Sequence, residues 1–211
     1  MIEFFFDCSS PWTWLAFHNI QPIAREFAVE VRWRPVLVGG IFNAVNPSVY
    51  EFRERGVPAK QAYAMKDLRD WARKAGLDIR FPPSVFPVNS VKAMRGCILM
   101  SDEGRLVPFA SAVFEAYWSH DQDISDDSVL AALSERVGME PARFFEGIVR
   151  PEIKARLKAN TDEVIARGGF GSPTIFVDGD DMYFGNDRLG LVRDAVLRRR
   201  RDTVPHRSGP C

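Results

Sequence analysis

Apolar positions near the start of the chain follow first a strand pattern and then a helical one. Residues 2–6 are a continuous apolar and aromatic run, which is typical of a buried strand. Ser10-Pro11 is a helix-start signal, and apolar side chains keep a helical spacing from there to about Phe27. Residues 29–38 then alternate apolar and charged side chains, as a second strand does. This order predicts a βαβ unit with parallel strands.

The pattern changes after the second predicted strand. Gly39-Gly40 predicts a loop, and from about Lys60 to Arg167 the apolar spacing is mostly helical, with no convincing strand. The helices predicted in this block are 63–75, 91–100, 107–118, 127–137, 141–157 and 161–167.

Strand character returns after Gly168-Gly169. Residues 174–177 and 182–184 flank a turn-forming segment and predict a hairpin, and a last helix is predicted from Leu189 to about Arg200. The helical block is therefore an insertion between the parts of one sheet, and the predicted class is α/β. The predicted boundaries are 1–38 plus 168–201 for the sheet domain, 39–167 for the helical insertion domain and 202–211 for a flexible tail.

Composition and charge exclude several classes of function. Lys plus Arg and Asp plus Glu number 28 each, so the formal net charge is zero and we expect no nucleic-acid partner. No basic signal-peptide region opens the chain and no stretch approaches ~20 apolar residues, so we expect no membrane contact and a cytoplasmic location. Cysteines at positions 8, 97 and 211 and three scattered histidines predict neither a disulfide framework nor a metal centre.

The order βαβ, helical insertion, ββα, with Ser-Pro at the start of the first helix, resembles the thioredoxin superfamily in its DsbA-like arrangement. Redox members of that superfamily carry C-P-x-C where this chain reads Ser10-Pro11-Trp12-Thr13. Because a hydroxyl group cannot form a mixed disulfide, these positions exclude dithiol exchange. Cys8 is interpreted as a small buried apolar residue.

Five segments in the same order resemble the kappa-class glutathione transferases and the 2-hydroxychromene-2-carboxylate isomerases. Each fragment is weak by itself, but five in the family's order are specific. They are Asp7 to Ala16, Pro35 to Phe42, Phe86 to Ser90, Phe170 to Val177 and Phe184 to Leu189.

The resemblance implies that glutathione is the cofactor and supplies the sulfur that position 10 lacks. A free thiol is only a few per cent ionised at neutral pH. A helix start and one hydroxyl hydrogen bond together lower a thiol pKa by ~2 units. Ser10 is therefore predicted as the catalytic hydrogen-bond donor to a thiolate, since a serine nucleophile would need an adjacent base. Taken alone, Ser10 also fits a simple helix cap.

The resemblance also implies where the tripeptide binds. Pro173 is expected to follow a cis peptide bond, with the main chain of Ser172 facing the cysteinyl part. Asn186 and Asp187 are expected to hold the γ-glutamyl end, although capping of the last helix explains the same residues. The further glutathione-binding candidates are Asn46 and Lys60.

An acceptor pocket is expected between the two domains, where aromatic walls would suit a flat substrate. Arg95 and Arg188 fit either a substrate carboxylate or a structural ion pair. The candidate lining residues are Trp12, Trp14, Phe42, Tyr63, Phe86 and Asn89.

The implied activity is a glutathione-dependent isomerase of the 2-hydroxychromene-2-carboxylate type, acting on a small aromatic carboxylate of the kind met in aromatic catabolism. One alternative is a kappa-type glutathione transferase or peroxidase, which would consume glutathione. Another is a non-catalytic module that binds glutathione or a peptide. The resemblance also implies a homodimer.

Overall fold

The computed structural model describes residues 1–203, which include a four-stranded mixed sheet. Its strands are β1 (Ile2–Phe6), β2 (Val31–Pro35), β3 (Thr174–Val177) and β4 (Asp181–Phe184), and they lie in the order β2-β1-β3-β4. β1 runs parallel to β2 and antiparallel to β3, and β4 pairs antiparallel with β3. The βαβ unit and the C-terminal hairpin predicted from the sequence are confirmed.

Helices cover both faces of this sheet and form the block between β2 and β3. A short 3-10 turn, Asn186–Arg188, precedes the last of them. The helices are α1 (Pro11–Glu26), α2 (Val38–Val45), α3 (Ser48–Arg55), α4 (Pro58–Ala75), α5 (Val91–Asp102), α6 (Leu106–Trp118), α7 (Asp127–Arg136), α8 (Pro141–Ile148), α9 (Pro151–Ala166) and α10 (Leu189–Thr203).

β1 is buried on both faces, as its continuous apolar sequence requires. Phe4 and Phe6 pack into the main core, where Phe6 lies 6.4 Å from Phe114 of α6 between ring centroids. Phe5 faces the opposite side and packs with Phe176 in a smaller cluster. Burying a phenylalanine stabilises a fold by about 1.5–3 kcal/mol, so this strand anchors both layers. The main core also crosses the predicted domain boundaries, which remain a prediction.

The loop predicted at Gly39-Gly40 is wrong, because α2 and α3 occupy this part of the chain. Val38, Ile41 and Val45 have the i, i+3, i+7 spacing of a helix, and Ile41 is fully buried. Two adjacent glycines oppose a helix by about 1 kcal/mol each, which hid this spacing. The tertiary contact of Ile41 outweighs that preference.

Helix boundaries differ from the prediction at two further places. The helix predicted over 141–157 is interrupted, because Pro151 lacks a backbone N–H and the residue before it, Arg150, is extended with ψ 139°. The break predicted between 157 and 161 is absent, because these residues lie inside the single helix α9, where the Thr161 hydroxyl donates to the carbonyl of Leu157 at 2.9 Å.

The observed ends of two other elements also differ from the prediction. β2 is shorter than the strand predicted over 29–38, because Val38 already begins α2. Residues 202 and 203, predicted as tail, belong to α10. The rest of the predicted tail, 204–211, lies outside the described residues.

Candidate active site

Ser10 stands between the end of β1 and the first turn of α1. Its backbone is extended (φ −122°, ψ 125°), and its Oγ accepts a hydrogen bond from the N–H of Thr13 at 3.3 Å. This confirms the predicted helix cap. No acceptor for the hydroxyl proton is found among the described residues, so the proton can be donated to a ligand at the helix start while Oγ accepts from Thr13.

Asp7, three residues earlier, ties this turn to two other segments. Its carboxylate is buried and accepts hydrogen bonds from the Ser9 N–H at 2.9 Å, the Val38 N–H at 2.9 Å and the Ser90 hydroxyl at 3.0 Å. The turn before α1 and the starts of α2 and α5 therefore meet at one side chain. Burial raises the pKa of Asp7, while these hydrogen bonds oppose the rise.

Ser172 faces the same turn from the start of β3. Its Oγ accepts from the Asp7 N–H at 3.0 Å and lies 2.9 Å from Oγ1 of Thr13. The bond between Ser172 and Pro173 is cis, as the family resemblance implied. Thr13 thus joins the Ser10 turn to the Ser172-Pro173 segment through hydroxyl groups, where a dithiol enzyme would carry sulfur.

Asn186 lies in the short turn before α10 and has a buried amide donor without an acceptor among the described residues. It is 3% exposed, its Oδ1 accepts from Asn19 Nδ2 of α1 at 3.0 Å, and its own Nδ2 has no hydrogen-bond partner among the described residues. A buried amide donor without a partner costs about 1–3 kcal/mol. A ligand carboxylate at the start of α10 would supply the acceptor.

Asp187, beside Asn186, is exposed, and its Oδ2 lies 2.7 Å from Arg188 Nη1. The preceding Gly185 has φ 95°, and a Cβ there would lie 2.8 Å from Asp187 Oδ1. Glycine is therefore needed both for this backbone conformation and for the close carboxylate. Of the two roles considered for Arg188, the structure contains the ion pair.

The segment between α4 and α5 is held against the Ser10 turn by two aromatic residues at the end of α6. Trp118 donates from Nε1 to the carbonyl of Cys8 at 2.9 Å and stacks on Phe81, with ring centroids 6.1 Å apart. Tyr117 donates from its hydroxyl to the carbonyl of Val85 at 2.8 Å. These contacts anchor the whole segment next to the turn that carries Ser10.

Phe86 and Asn89 lie in this anchored segment. Phe86 is 36% exposed and its ring packs against Phe81 at 5.1 Å between centroids. Asn89 is exposed, and its Oδ1 accepts from the N–H of Val91, the first residue of α5, at 3.1 Å. The next residue is Ser90, which bonds Asp7, so the segment borders the candidate site.

A second group of aromatic residues lies next to Ser172. Phe170 and Phe184 contact each other at 4.4 Å between ring centroids, and a Cβ at Gly171 would lie 2.8 Å from the Phe184 ring and 3.6 Å from that of Phe42. Asn46 fastens α2 to this group by donating to the carbonyl of Phe170 at 3.1 Å. Phe42 and Asn46 are thus brought to the Ser172 side of the site.

Some predicted residues are not joined to the site by any described contact. Trp12 is half-buried on the first turn of α1, next to Ser10. Lys60 and Tyr63 lie on α4, and both are exposed, Tyr63 by 64%. Their roles stay predictions. Arg95 is half-buried on α5, and its Nε has no hydrogen-bond partner within residues 1–203.

Cys8 is fully buried, which confirms its interpretation as a core residue. Burial and the neighbouring Cys97 thiol raise the pKa of Cys8 well above its usual value, so it stays a neutral thiol. Of the two other residues central to this geometry, Thr13 was named from the sequence only as an oxygen in place of the second motif sulfur, and Trp118 was not named as a site residue. Thr13 had a signal in its place within the Ser-Pro motif, whereas Trp118 had none beyond an ordinary helical core position.

Two further findings limit the kinds of site. Over residues 1–203, no helix combines the length and apolar character that crossing a membrane requires. Among the side chains that the structure describes, no three from His, Cys, Asp or Glu are grouped so that they could bind a metal ion.

The match to a family model identifies the class. Residues 1–197 match the model of the DSBA-like thioredoxin domain, so the chain belongs to that family. It is 28% identical to a 2-hydroxychromene-2-carboxylate isomerase from Pseudomonas putida, over 94% of this chain and 95% of that protein. It is 27% identical to human glutathione S-transferase kappa 1, over 97% and 94% of the two chains.

A structural comparison agrees. The selenomethionine structure of a 2-hydroxychromene-2-carboxylate isomerase superposes with a TM-score of 0.81 at 27% identity, over 95% of this chain and 96% of that one. The probable DsbA oxidoreductase SCO1869 from Streptomyces coelicolor, at 18% identity and a TM-score of 0.75, shares the fold. The chain therefore has isomerases and kappa-class transferases as relatives on a DsbA-like scaffold, and its relatives indicate an enzyme.

Proposed function

We propose that this protein is a glutathione-dependent isomerase of the 2-hydroxychromene-2-carboxylate type. The observation that carries the proposal is the Ser10 hydroxyl, which accepts from the Thr13 N–H at 3.3 Å and so keeps its proton for a ligand at the helix start. Similarity to a P. putida isomerase over almost the whole chain supports the choice of reaction.

The residues present fit glutathione. The unpartnered Nδ2 of buried Asn186 needs an acceptor, and a γ-glutamyl carboxylate provides one. Exposed Asp187 offers a carboxylate to an ammonium group, in exchange for or beside Arg188. The main-chain groups of Ser172, just before Pro173, suit the extended backbone of a peptide.

When bound, glutathione supplies a thiolate that adds reversibly to a conjugated acceptor, which allows rotation about the former double bond before the thiolate leaves. Ser10 donates a hydrogen bond to the sulfur and, with the positive end of α1, favours its ionised form. Phe86 offers an exposed aromatic face beside this turn for a flat acceptor.

A kappa-type glutathione transferase or peroxidase is the second candidate, favoured by 27% identity to human glutathione S-transferase kappa 1. The isomerase returns its glutathione, whereas a transferase or a peroxidase consumes free thiol. Incubation with a hydroxychromene carboxylate, an electrophilic aryl halide or a hydroperoxide distinguishes them. We expect product with the first substrate and no loss of thiol. Loss of thiol with either of the other two, and no isomerisation, would contradict the proposal.

A further inference from the structure

The buried carboxylate of Asp7 is a negative group beside the Ser10 turn, and its charge would oppose a thiolate there. It lies at the end of β1, 1% exposed, and its Oδ1 accepts from the N–H of Ser9, the residue bonded to Ser10. Its Oδ2 accepts from Val38 and Ser90, at the starts of α2 and α5. When it is ionised, this carboxylate therefore places a negative charge on the turn that leads into the helix start where the proposed thiolate binds.

Burial raises the pKa of Asp7, whereas the hydrogen-bond donors around its carboxylate favour the anion, and no cation among the described residues pairs with it. The Asp7 carboxylate is the acceptor in all three of these hydrogen bonds, and no ion pair to it is found among the described residues. The titratable groups that interact with it are Cys8 on its own turn and Tyr117 on α6, with Cys97 of α5 beside Cys8. Burial raises the pKa of Cys8 and of Tyr117, so both stay neutral.

We propose that Asp7 is a positioning and charge-setting residue: it holds the Ser10 turn against α2 and α5, and its charge keeps the bound thiolate from being stabilised too strongly to react. This inference rests on the proposed function. A thiolate loses nucleophilicity as the pKa of its thiol falls, and an attacking thiol reacts fastest with a pKa near the ambient pH. The helix start and Ser10 lower that pKa, and Asp7 limits the fall.

The test is the pH titration of bound glutathione, followed by the ultraviolet absorbance of its thiolate. Asp7→Asn removes the charge at constant size. Asp7→Ser is a second uncharged variant, whose hydroxyl can still accept from the Ser9 N–H. We expect both to lower the pKa of the bound thiol by about one unit, which is a tenfold higher ratio of thiolate to thiol below that pKa. Reactivity per thiolate should fall about threefold.

Ser90→Ala is the matched control, because it removes one hydrogen bond from the same carboxylate and keeps the charge. We expect it to leave the pKa of the bound thiol unchanged or raised. A merely structural network would shift all three variants in the same direction, toward weaker thiolate stabilisation. Asp180→Asn, at an exposed position in the turn between β3 and β4, controls for removal of a charge far from the site.

The outcomes separate the two claims. If the wild-type protein gives bound glutathione an ordinary thiol pKa, the proposed function fails and the role of Asp7 fails with it. If the wild-type protein lowers that pKa, but Asp7→Asn and Asp7→Ser leave it equal or higher, only the role of Asp7 is overturned. Circular dichroism and gel filtration establish that each variant is folded before it is titrated.

Discussion

Ser10 illustrates how one hydroxyl group serves the fold and the proposed chemistry together. Its oxygen caps α1 through Thr13, and its proton points to no described acceptor. The sequence predicted both roles, since Ser before Pro marks a helix start and the family motif places a thiolate donor there. It did not show how Thr13 links this turn to Ser172 at 2.9 Å, because residues 159 positions apart meet only through tertiary packing.

Asn186→Ala tests the γ-glutamyl end of the site. It removes the buried amide whose Nδ2 is unpartnered, so we expect glutathione to bind about tenfold more weakly, as loss of a hydrogen bond to a charged group implies. Asn19→Ala is the control, because it removes the contact to Asn186 Oδ1 and leaves the Nδ2 donor. Calorimetric titration measures both. Equal affinity in the wild type and Asn186→Ala would remove Asn186 from the glutathione site.

Asp7 also predicts how stability depends on pH. Its pKa in the folded state is raised above the ordinary value of 3.8, so the folded protein binds a proton more readily than the unfolded chain. The contribution of this group is fully present below that ordinary value and is lost as the pH rises through the folded-state pKa. We expect the free energy of unfolding of the wild type to fall relative to Asp7→Asn over that window. Urea unfolding at several pH values measures the difference, and a rise would contradict the prediction.

At the scale of elements, glycine explains both why helix α2 was not predicted from the sequence and how α5 packs closely against its neighbours. Gly39 and Gly40 hid α2 from sequence reasoning, although the apolar spacing of a helix was present. Gly96 in α5 instead allows a close approach of neighbouring helices: a Cβ there would lie 2.8 Å from the rings of Phe109 and Phe144. Such packing depends on which helices meet, which spacing along one helix cannot predict.

Substitution by alanine at Gly96 and at Gly39 should change the stability of the fold in opposite directions. Gly96→Ala should destabilise the fold by about 1–3 kcal/mol, since two buried rings must move. Gly39→Ala should stabilise it by about 0.5–1 kcal/mol, because no atom lies within 4 Å of the added methyl group and alanine favours a helix. Chemical denaturation of both variants checks the pair. Equal changes in stability would contradict the packing described for α5.

At the scale of the whole molecule, one core joins the sheet to the helical block. Trp14 of α1 stacks on Phe114 of α6 with ring planes 5° apart, and Trp118 reaches the Cys8 carbonyl. The sequence predicted the fold class, the order of strands and the inserted block, because hydrophobic periodicity and the family motifs act locally. It could not predict that Trp118 anchors the segment carrying Phe86, since that contact joins distant parts of the chain.

This shared core predicts cooperative unfolding. We expect the sheet and the helical block to unfold in a single transition, with tryptophan fluorescence and far-ultraviolet circular dichroism giving coincident curves. Trp118→Phe should destabilise the whole protein by about 2–4 kcal/mol and shift the single transition to lower denaturant, because a smaller ring leaves a cavity at a fully buried position and one buried hydrogen bond is lost. Two separate transitions in the wild type would show that the predicted domains are independent.

The central claim is that Ser10 donates a hydrogen bond to a glutathione thiolate, and Ser10→Ala tests it most directly. We expect the pKa of bound glutathione to rise by about one unit and isomerase turnover to fall on the order of tenfold to a hundredfold, with glutathione affinity nearly unchanged. Ser10→Thr, which keeps a hydroxyl and a helix cap, should retain most of the activity. An unchanged thiol pKa and full turnover in folded Ser10→Ala would contradict the account and favour a role for Ser10 as a helix cap alone.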